Sequence, residues 1–231
     1  MSIAQHLEEV RQRIAQAAER ASRDPASVKL LAVSKTFPAD DVRAAFDAGQ
    51  RAFGENYVQE GIAKIAALAD LRSHIEWHFI GPLQSNKTKL VAEQFDWVHS
   101  VDRLKIAERL SAQRPEGATP LNVCVQVNVS GEASKSGVEP HDAAALAHAV
   151  AKLPGLRLRG LMSIPEPADT LDAQRAPHAR LRDLMDALRA DGLELDTLSM
   201  GMSADLEAAV LEGATIVRIG TAIFGKRTYN H

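Results

Sequence analysis

A lysine that closes a short apolar run can be an activated amine. Lys35 follows Lys29-Leu30-Leu31-Ala32-Val33-Ser34 and precedes the turn Thr36-Phe37-Pro38. An ammonium held at the tip of a buried strand is poorly solvated, which favours the neutral amine. A neutral amine attacks an aldehyde to give a Schiff base; the plainer role for such a lysine is to reach solvent or pair with an acid. Two further segments bear on that choice. Ser199-Met200-Gly201-Met202-Ser203-Ala204-Asp205 reads as a strand-to-helix turn, in which Ser203 can cap the helix and Gly201 lets the backbone approach a ligand. Val217-Arg218-Ile219-Gly220-Thr221 adds a second close-approach glycine beside a hydroxyl. Exposed N–H groups at helix starts bind phosphate, so the two loops together form a candidate anion site. Helix capping, helped by Asp205 and Glu207, is the alternative.

Other polar residues stand at strand ends or inside apolar runs. Arg218 alternates with Val217 and Ile219, so its guanidinium points opposite to theirs and needs acceptors, either on a ligand or on an acid such as Glu55. Phe53-Gly54-Glu55-Asn56-Tyr57 places Asn56 and Tyr57 at a strand end. His78 lies in the aromatic run Trp77-His78-Phe79, where a core histidine with one hydrogen bond is as natural as a reactive one. Val123, Val125, Val127 and Val129 share one strand face, leaving Cys124, Gln126 and Asn128 on the other. Asn128 is therefore either near a ligand or satisfied by its neighbours. The eight histidines form no HExxH pattern and there is one cysteine, so no metal site is expected. Gly-x-Ser-x-Gly and Gly-x-x-x-x-Gly-Lys-Ser/Thr are also absent.

The elements that must position these residues follow from periodicity. Ile3, Leu7, Val10, Ile14, Ala17 and Ala21 give one apolar stripe and predict a helix over the first 22 residues. Eight strands are predicted at 29–34, 51–56, 77–81, 96–101, 121–129, 156–164, 196–201 and 215–220. Helices are predicted between them at 38–48, 57–70, 84–94, 103–113, 139–152, 170–190 and 203–212. Strands alternating with helices imply a parallel sheet with crossovers. Eight such units in 231 residues match the size of a single-domain (β/α)8 TIM barrel with an extra N-terminal helix. Lys35 and the two glycine-bearing loops then share the C-terminal face, where barrels carry their sites.

Composition narrows the class. Hydrophobic residues make up 45% and charged residues 25%, with a formal net charge of -3, and the basic residues are scattered, unlike a nucleic-acid-binding surface. No stretch approaches the roughly 18 apolar residues of a membrane span. The acidic N-terminus does not resemble a signal peptide, and lone Cys124 fits a reducing compartment. The expected location is the cytoplasm.

Six segments in order carry a family resemblance: Val33-Ser34-Lys35-Thr36, Phe53 to Tyr57, His78 to Lys87, Gly160-Leu161-Met162-Ser163-Ile164-Pro165, Ser199 to Asp205, and Val217 to Gly225. They closely resemble the pyridoxal phosphate homeostasis proteins, the YggS/PROSC family. The resemblance implies a barrel like the alanine racemase N-terminal domain, with pyridoxal 5'-phosphate (PLP) on Lys35. It also implies that Ser199, Ser203, Gly220 and Thr221 surround the phosphate, that Arg218 faces the pyridine nitrogen, and that Asn56, His78, Met200 and Ser163 line the ring. An arginine cannot accept the proton that a carboxylate would share with that nitrogen, which weakens the ring as an electron sink.

The chain reaches His231 about where the barrel is complete, so no second, β-rich domain with the racemase tyrosine is expected. Neither Tyr57 nor Tyr229 matches that tyrosine's place. The expectation is a monomeric PLP carrier with little turnover, with PLP-dependent apo-enzymes as candidate recipients; Lys87, Lys135 and Lys226 are the candidates should a second lysine substitute for Lys35. The rival readings are a PLP-dependent racemase or lyase using Tyr57 or His78, and a cofactor-free aldolase in which Lys35 attacks a sugar-phosphate carbonyl.

Overall fold

A computed structural model describes residues 1–133 and 136–226. Lys135 and Tyr229, named above, lie outside the described residues. Eight parallel strands close into a barrel in sequence order: β1 (Lys29–Val33), β2 (Ala52–Glu55), β3 (Glu76–Phe79), β4 (Trp97–Val101), β5 (Leu121–Gln126), β6 (Leu156–Met162), β7 (Thr197–Ser199) and β8 (Ile216–Ile219). Closure pairs β1 with β8, setting Leu31 beside Arg218 and Ala32 beside Ile219. The helices are α1 (Ile3–Arg20), α2 (Ala39–Asp47), α3 (Val58–Ala67), α4 (Thr88–Gln94), α5 (Leu104–Gln113), α6 (Ala143–Ala151), α7 (Leu171–Ala190), α8 (Leu206–Leu211) and α9 (Thr221–Phe224). All eight predicted strands and all eight predicted helices are present.

Strand alternation divides the apolar residues into two cores. A small inner core of Leu31, Val33, Ala52, Ile80, Trp97, Cys124, Met162 and Ile216 fills the barrel. The larger core lies between barrel and helices and takes the opposite faces, including Phe53, Val123, Val125, Val217 and Ile219. Burying each of these aliphatic or aromatic side chains contributes on the order of 1.5–3 kcal/mol before chain entropy is counted.

The predicted N-terminal helix has a structural role in the ring. Helix α9, after β8, is a single turn, and α1 packs against α8, α9 and α2 in its place. A capping box between Ser2 and Gln5 starts α1. Its Leu7, Val10, Ile14, Ala17 and Ala18 are buried. Polar ties fix its angle: Arg11 donates to the Ala48 carbonyl, and Arg13 binds Glu207 with Nε and Nη2.

Several predicted boundaries shift by up to four residues, among them the start of α4 at Thr88 and of α6 at Ala143, and two shifts have a visible local reason. β5 stops at Gln126 because Asn128 folds the following chain back on itself. Its Oδ1 accepts from the Ser130 N–H at 3.3 Å, and its Nδ2 donates to the Glu132 carbonyl at 2.7 Å. Asn128 is thus satisfied by its neighbours. α8 begins at Leu206 rather than 203, and its N-cap is Asp205, not Ser203. Asp205 Oδ1 accepts from the Met202 N–H at 2.7 Å and Oδ2 meets His178 at 2.8 Å, so the turn over 202–205 is held without the Ser203 hydroxyl.

Candidate cofactor site

The C-terminal face opens into a cavity of about 410 Å³ lined by Lys35, Asn56, Ser203, Arg218, Gly220 and Thr221, with an apolar wall that includes Val33, Ile80 and Ile164. Six of the ten predicted site residues therefore meet in one place. A smaller cavity of about 190 Å³ shares Asn56, Ile80 and Ile164 and adds Gln126. Phe37 and Phe224 stack at 5.1 Å between centroids, and Phe37 also lines the larger cavity.

Lys35 is held from both sides by one buried ion cluster. Lys64 of α3 donates to Glu55 Oε1 at 2.7 Å, to Glu60 Oε1 at 2.8 Å and to the Ser34 carbonyl at 2.6 Å. Ser34 Oγ donates to the same Glu55 oxygen at 2.7 Å, and the Thr36 N–H donates to Glu60. Thr36 sits at φ +69°, a left-handed conformation uncommon for a non-glycine residue. The residues before and after Lys35 are thus anchored to α3, and the clamp offsets the backbone cost. Burial raises the Glu55 carboxyl above its ordinary value, opposed by the charge of Lys64 and by hydrogen bonds from Lys64 and Ser34. This cluster also decides an open question: Glu55 pairs with Lys64, and Arg218 finds other acceptors.

Arg218 points into the barrel and is 4% exposed. Nη1 donates to Ser199 Oγ at 2.8 Å and Nη2 to the Ser163 carbonyl at 2.7 Å. Those bonds occupy two of the five N–H donors of a guanidinium. Burial lowers its pKa to about 10, opposed by the charges of Asp205 and Cys124, and leaves it a cation at neutral pH.

The turns after β7 and β8, read from sequence as a candidate anion site, form one side of the cavity. Gly201, at φ +99°, admits no Cβ, which would lie 2.5 Å from the Ala209 Cβ. The Ser203 and Ala204 N–H groups have no hydrogen-bond partner among the described residues. Arg13 of α1 donates to the Ser203 carbonyl at 3.0 Å and braces the loop from behind.

Four predicted site residues stand elsewhere. Met200 is a correction: β7 turns Thr197 and Ser199 inward, so Met200 packs fully buried in the barrel–helix core with Leu198. His78 is fully buried inside the barrel, below the cavity wall, bonded to Glu76 and His99. Ser199 accepts from Arg218 and is not among the residues that line the cavity. Ser163 contributes its carbonyl to Arg218, while its hydroxyl has no partner among the described residues; Ile164 lines the wall instead. His99, Glu76 and the Glu55–Lys64–Glu60 clamp were not foreseen. Only the i,i+4 spacing of Glu60 and Lys64 offered a signal for any of them.

Among the described residues no cluster of metal-ligating side chains occurs, and no helix is long and apolar enough to cross a membrane.

The family described as "Alanine racemase, N-terminal domain" matches residues 5–228. The chain is 65% identical over 228 residues to the pyridoxal phosphate homeostasis protein of Pseudomonas aeruginosa, covering 99% of this chain and 97% of that one. It is 54% identical over 229 residues to the protein of the same name from Escherichia coli, covering 99% and 98%. Among solved structures it resembles PipY of Synechococcus elongatus with PLP bound, at a TM-score of 0.86 and 42% identity, covering 97% of this chain and 100% of PipY. Alanine racemase of Corynebacterium glutamicum shares the fold at 17% identity and a TM-score of 0.69, with 99% of this chain on 62% of that one. At these identities and with near-complete coverage, the chain belongs to the pyridoxal phosphate homeostasis protein family, built on the alanine racemase N-terminal-domain barrel.

Proposed function

We propose that this protein binds PLP through a Schiff base on Lys35 and holds it as an intracellular reserve for PLP homeostasis, with little turnover. Bound PLP supplies an aldehyde that condenses with amines and a pyridine ring that withdraws electrons when its nitrogen is protonated. The residues suit that group. A cavity of about 410 Å³ falls within the roughly 300–1,000 Å³ range of small-molecule sites. Its rim combines an amine at Lys35, a guanidinium at Arg218, and the Ser203 and Ala204 N–H donors with the Thr221 hydroxyl. Buried Asn56 Oδ1 has no partner among the described residues and suits a ligand hydroxyl or amine.

The observation that carries the carrier reading is the chemistry of the lining. Among the described residues around the cavity, Lys35 and Arg218 are the only titratable side chains. Arg218, a cation and a donor, cannot take a proton from the ring nitrogen or move one at a substrate carbon. Tyr57 is 53% exposed and outside the lining, and His78 is sealed in the barrel. Among the described lining residues, none supplies a second acid/base on the side of a bound ligand opposite Lys35. The names of the relatives and the PLP in PipY point the same way.

The rival is PLP-dependent racemisation or lyase chemistry. Incubating PLP-loaded protein with L-amino acids in deuterated buffer separates the two. The carrier reading predicts no α-carbon deuterium above the rate of PLP alone; incorporation at an enzyme-like rate would overturn it.

A further inference from the structure

The barrel interior holds a line of polar groups that runs from its floor to the cavity. Glu76 opens β3 on the N-terminal face and pairs there with Lys29 at 2.8 Å. His78 Nε2 lies 2.7 Å from Glu76 Oε1, His78 Nδ1 lies 2.7 Å from His99 Nε2, and His99 Nδ1 lies 2.7 Å from Ser199 Oγ. Arg218 completes the line through its bond to Ser199. Both imidazoles and Ser199 are fully buried. Polar groups so deep must be paired.

With both imidazoles neutral and Glu76 ionised, one placement of protons satisfies every link. Arginine only donates, so Ser199 Oγ accepts from Arg218 and its own hydrogen goes to His99 Nδ1. His99 then carries its proton on Nε2 and donates to His78 Nδ1. His78 in turn carries its proton on Nε2 and donates to the Glu76 carboxylate. A second proton on His78 would set two N–H groups face to face, or move the His99 proton to Nδ1 and take away the acceptor of the Ser199 hydrogen. One on His99 would force the Ser199 hydrogen away from its acceptor.

The electrostatic surroundings agree. Around His78 stand Glu76, Lys29 and Asp96; around His99 stand His78, Arg218 and Lys29; Cys124 and Asp205 face Arg218. Burial pushes both histidines below their ordinary value, against the pull of Glu76 on His78 and with the added repulsion of nearby positive charge on His99.

We propose that Glu76, His78 and His99 are positioning residues, forming a one-way hydrogen-bond relay of neutral imidazoles that orients Ser199 and aims Arg218 at the ring nitrogen of PLP. The aim at PLP rests on the proposed function; the relay itself does not. Its lower end is open, since Glu76 lines a cavity of about 520 Å³ on the barrel floor with Arg11, Lys29 and Arg51. The environment of the ring nitrogen is thereby tied to a face of the molecule remote from Lys35.

Nitrogen-15 NMR of the ligand-free full chain, labelled in its histidine rings, tests the relay. Both His78 and His99 should be neutral with the proton on Nε2 at pH 7, and remain so at pH 6. An imidazolium, or a proton on Nδ1 of either ring, would overturn it. PLP titrations of His99→Leu and His99→Asn test the positioning role. The leucine variant should lose about tenfold or more in affinity, the scale of one hydrogen bond to a charged group, and shift the pH profile of the visible absorbance. The asparagine variant, which keeps an acceptor toward Ser199, should restore much of both. A packing role alone would lower the melting temperature of the variants and leave spectrum and affinity untouched, and that outcome overturns the proposal. Failure of the wild-type chain to bind PLP would overturn the proposed function and the aim at PLP, while the NMR result would still decide the relay.

Discussion

Lys35 and Arg218 were legible because each stands at or near the end of an apolar strand, where alternation and fold class together place it on the cavity side. The residues that prepare them were not. His99 lies in Trp97-Val98-His99-Ser100-Val101, which reads as core, and its bond to Ser199 spans 100 residues of sequence. Met200 was misplaced because the loop just after it, from Met202 to Ala204, lines the cavity, whereas the pleat of β7 turns it outward. At the anion side, the assignment of phosphate to Ser203 and Thr221 makes a selective prediction. Ser203→Asp or Thr221→Glu should weaken binding of PLP far more than of pyridoxal, because a carboxylate repels the phosphate that only PLP carries. Competition titrations with the two ligands measure this, and equal loss of both would move the phosphate elsewhere.

The elements matter through their register. Strands β1 and β2 bring Ser34 and Glu55 to the helix side of the barrel, and α3 lowers Lys64 onto both. Burial periodicity showed that these strands and α3 exist, but not that a charged pair lies between them; Lys64 reads as a surface helix residue. Lys64 is 6% exposed and Glu55 fully buried. Removing one partner leaves the other uncompensated, so Lys64→Met should cost about 3–5 kcal/mol of stability. Adding Glu55→Gln should recover much of that loss, since no bare buried charge then remains at that site. Urea unfolding of the two variants reads the difference, and equal stabilities would show that the pair does not act as a unit. The same clamp fixes Ser34 and Thr36, so the single variant should also bind PLP more weakly.

At the scale of the whole molecule, the N-terminal helix completes the outer ring that α9 is too short to fill, and Arg13 carries its support through to the anion loop. The apolar stripe of α1 was plain in the sequence; its place in the ring was not, because that depends on the shortness of α9. Burial of ionisable groups sets the response to acid. His78 and His99 have folded pKa values below the ordinary 6.5, so their contribution is fully present above that value and is lost as pH falls below it. For Glu76, burial opposes ionisation but the bonds and charges of His78 and Lys29 prevail and bring it to about 2. Its contribution is present above the ordinary 4.5 and is lost as pH falls toward 2. Glu55, shifted upward, opposes this loss. The urea midpoint should therefore begin to decline near pH 6.5 and fall further below 4.5, with Glu76→Gln flattening the lower limb. A midpoint constant down to pH 4.5 would contradict the buried neutral histidines.

The most direct measurement of the central claim is the absorption spectrum of PLP-loaded protein before and after borohydride, followed by peptide mapping. The account predicts a visible band that borohydride abolishes, a pyridoxyl group fixed on Lys35, and no such fixed group at the cavity in Lys35→Ala. A colourless protein, or a label that maps to another lysine while Lys35 stays unmodified, would contradict it.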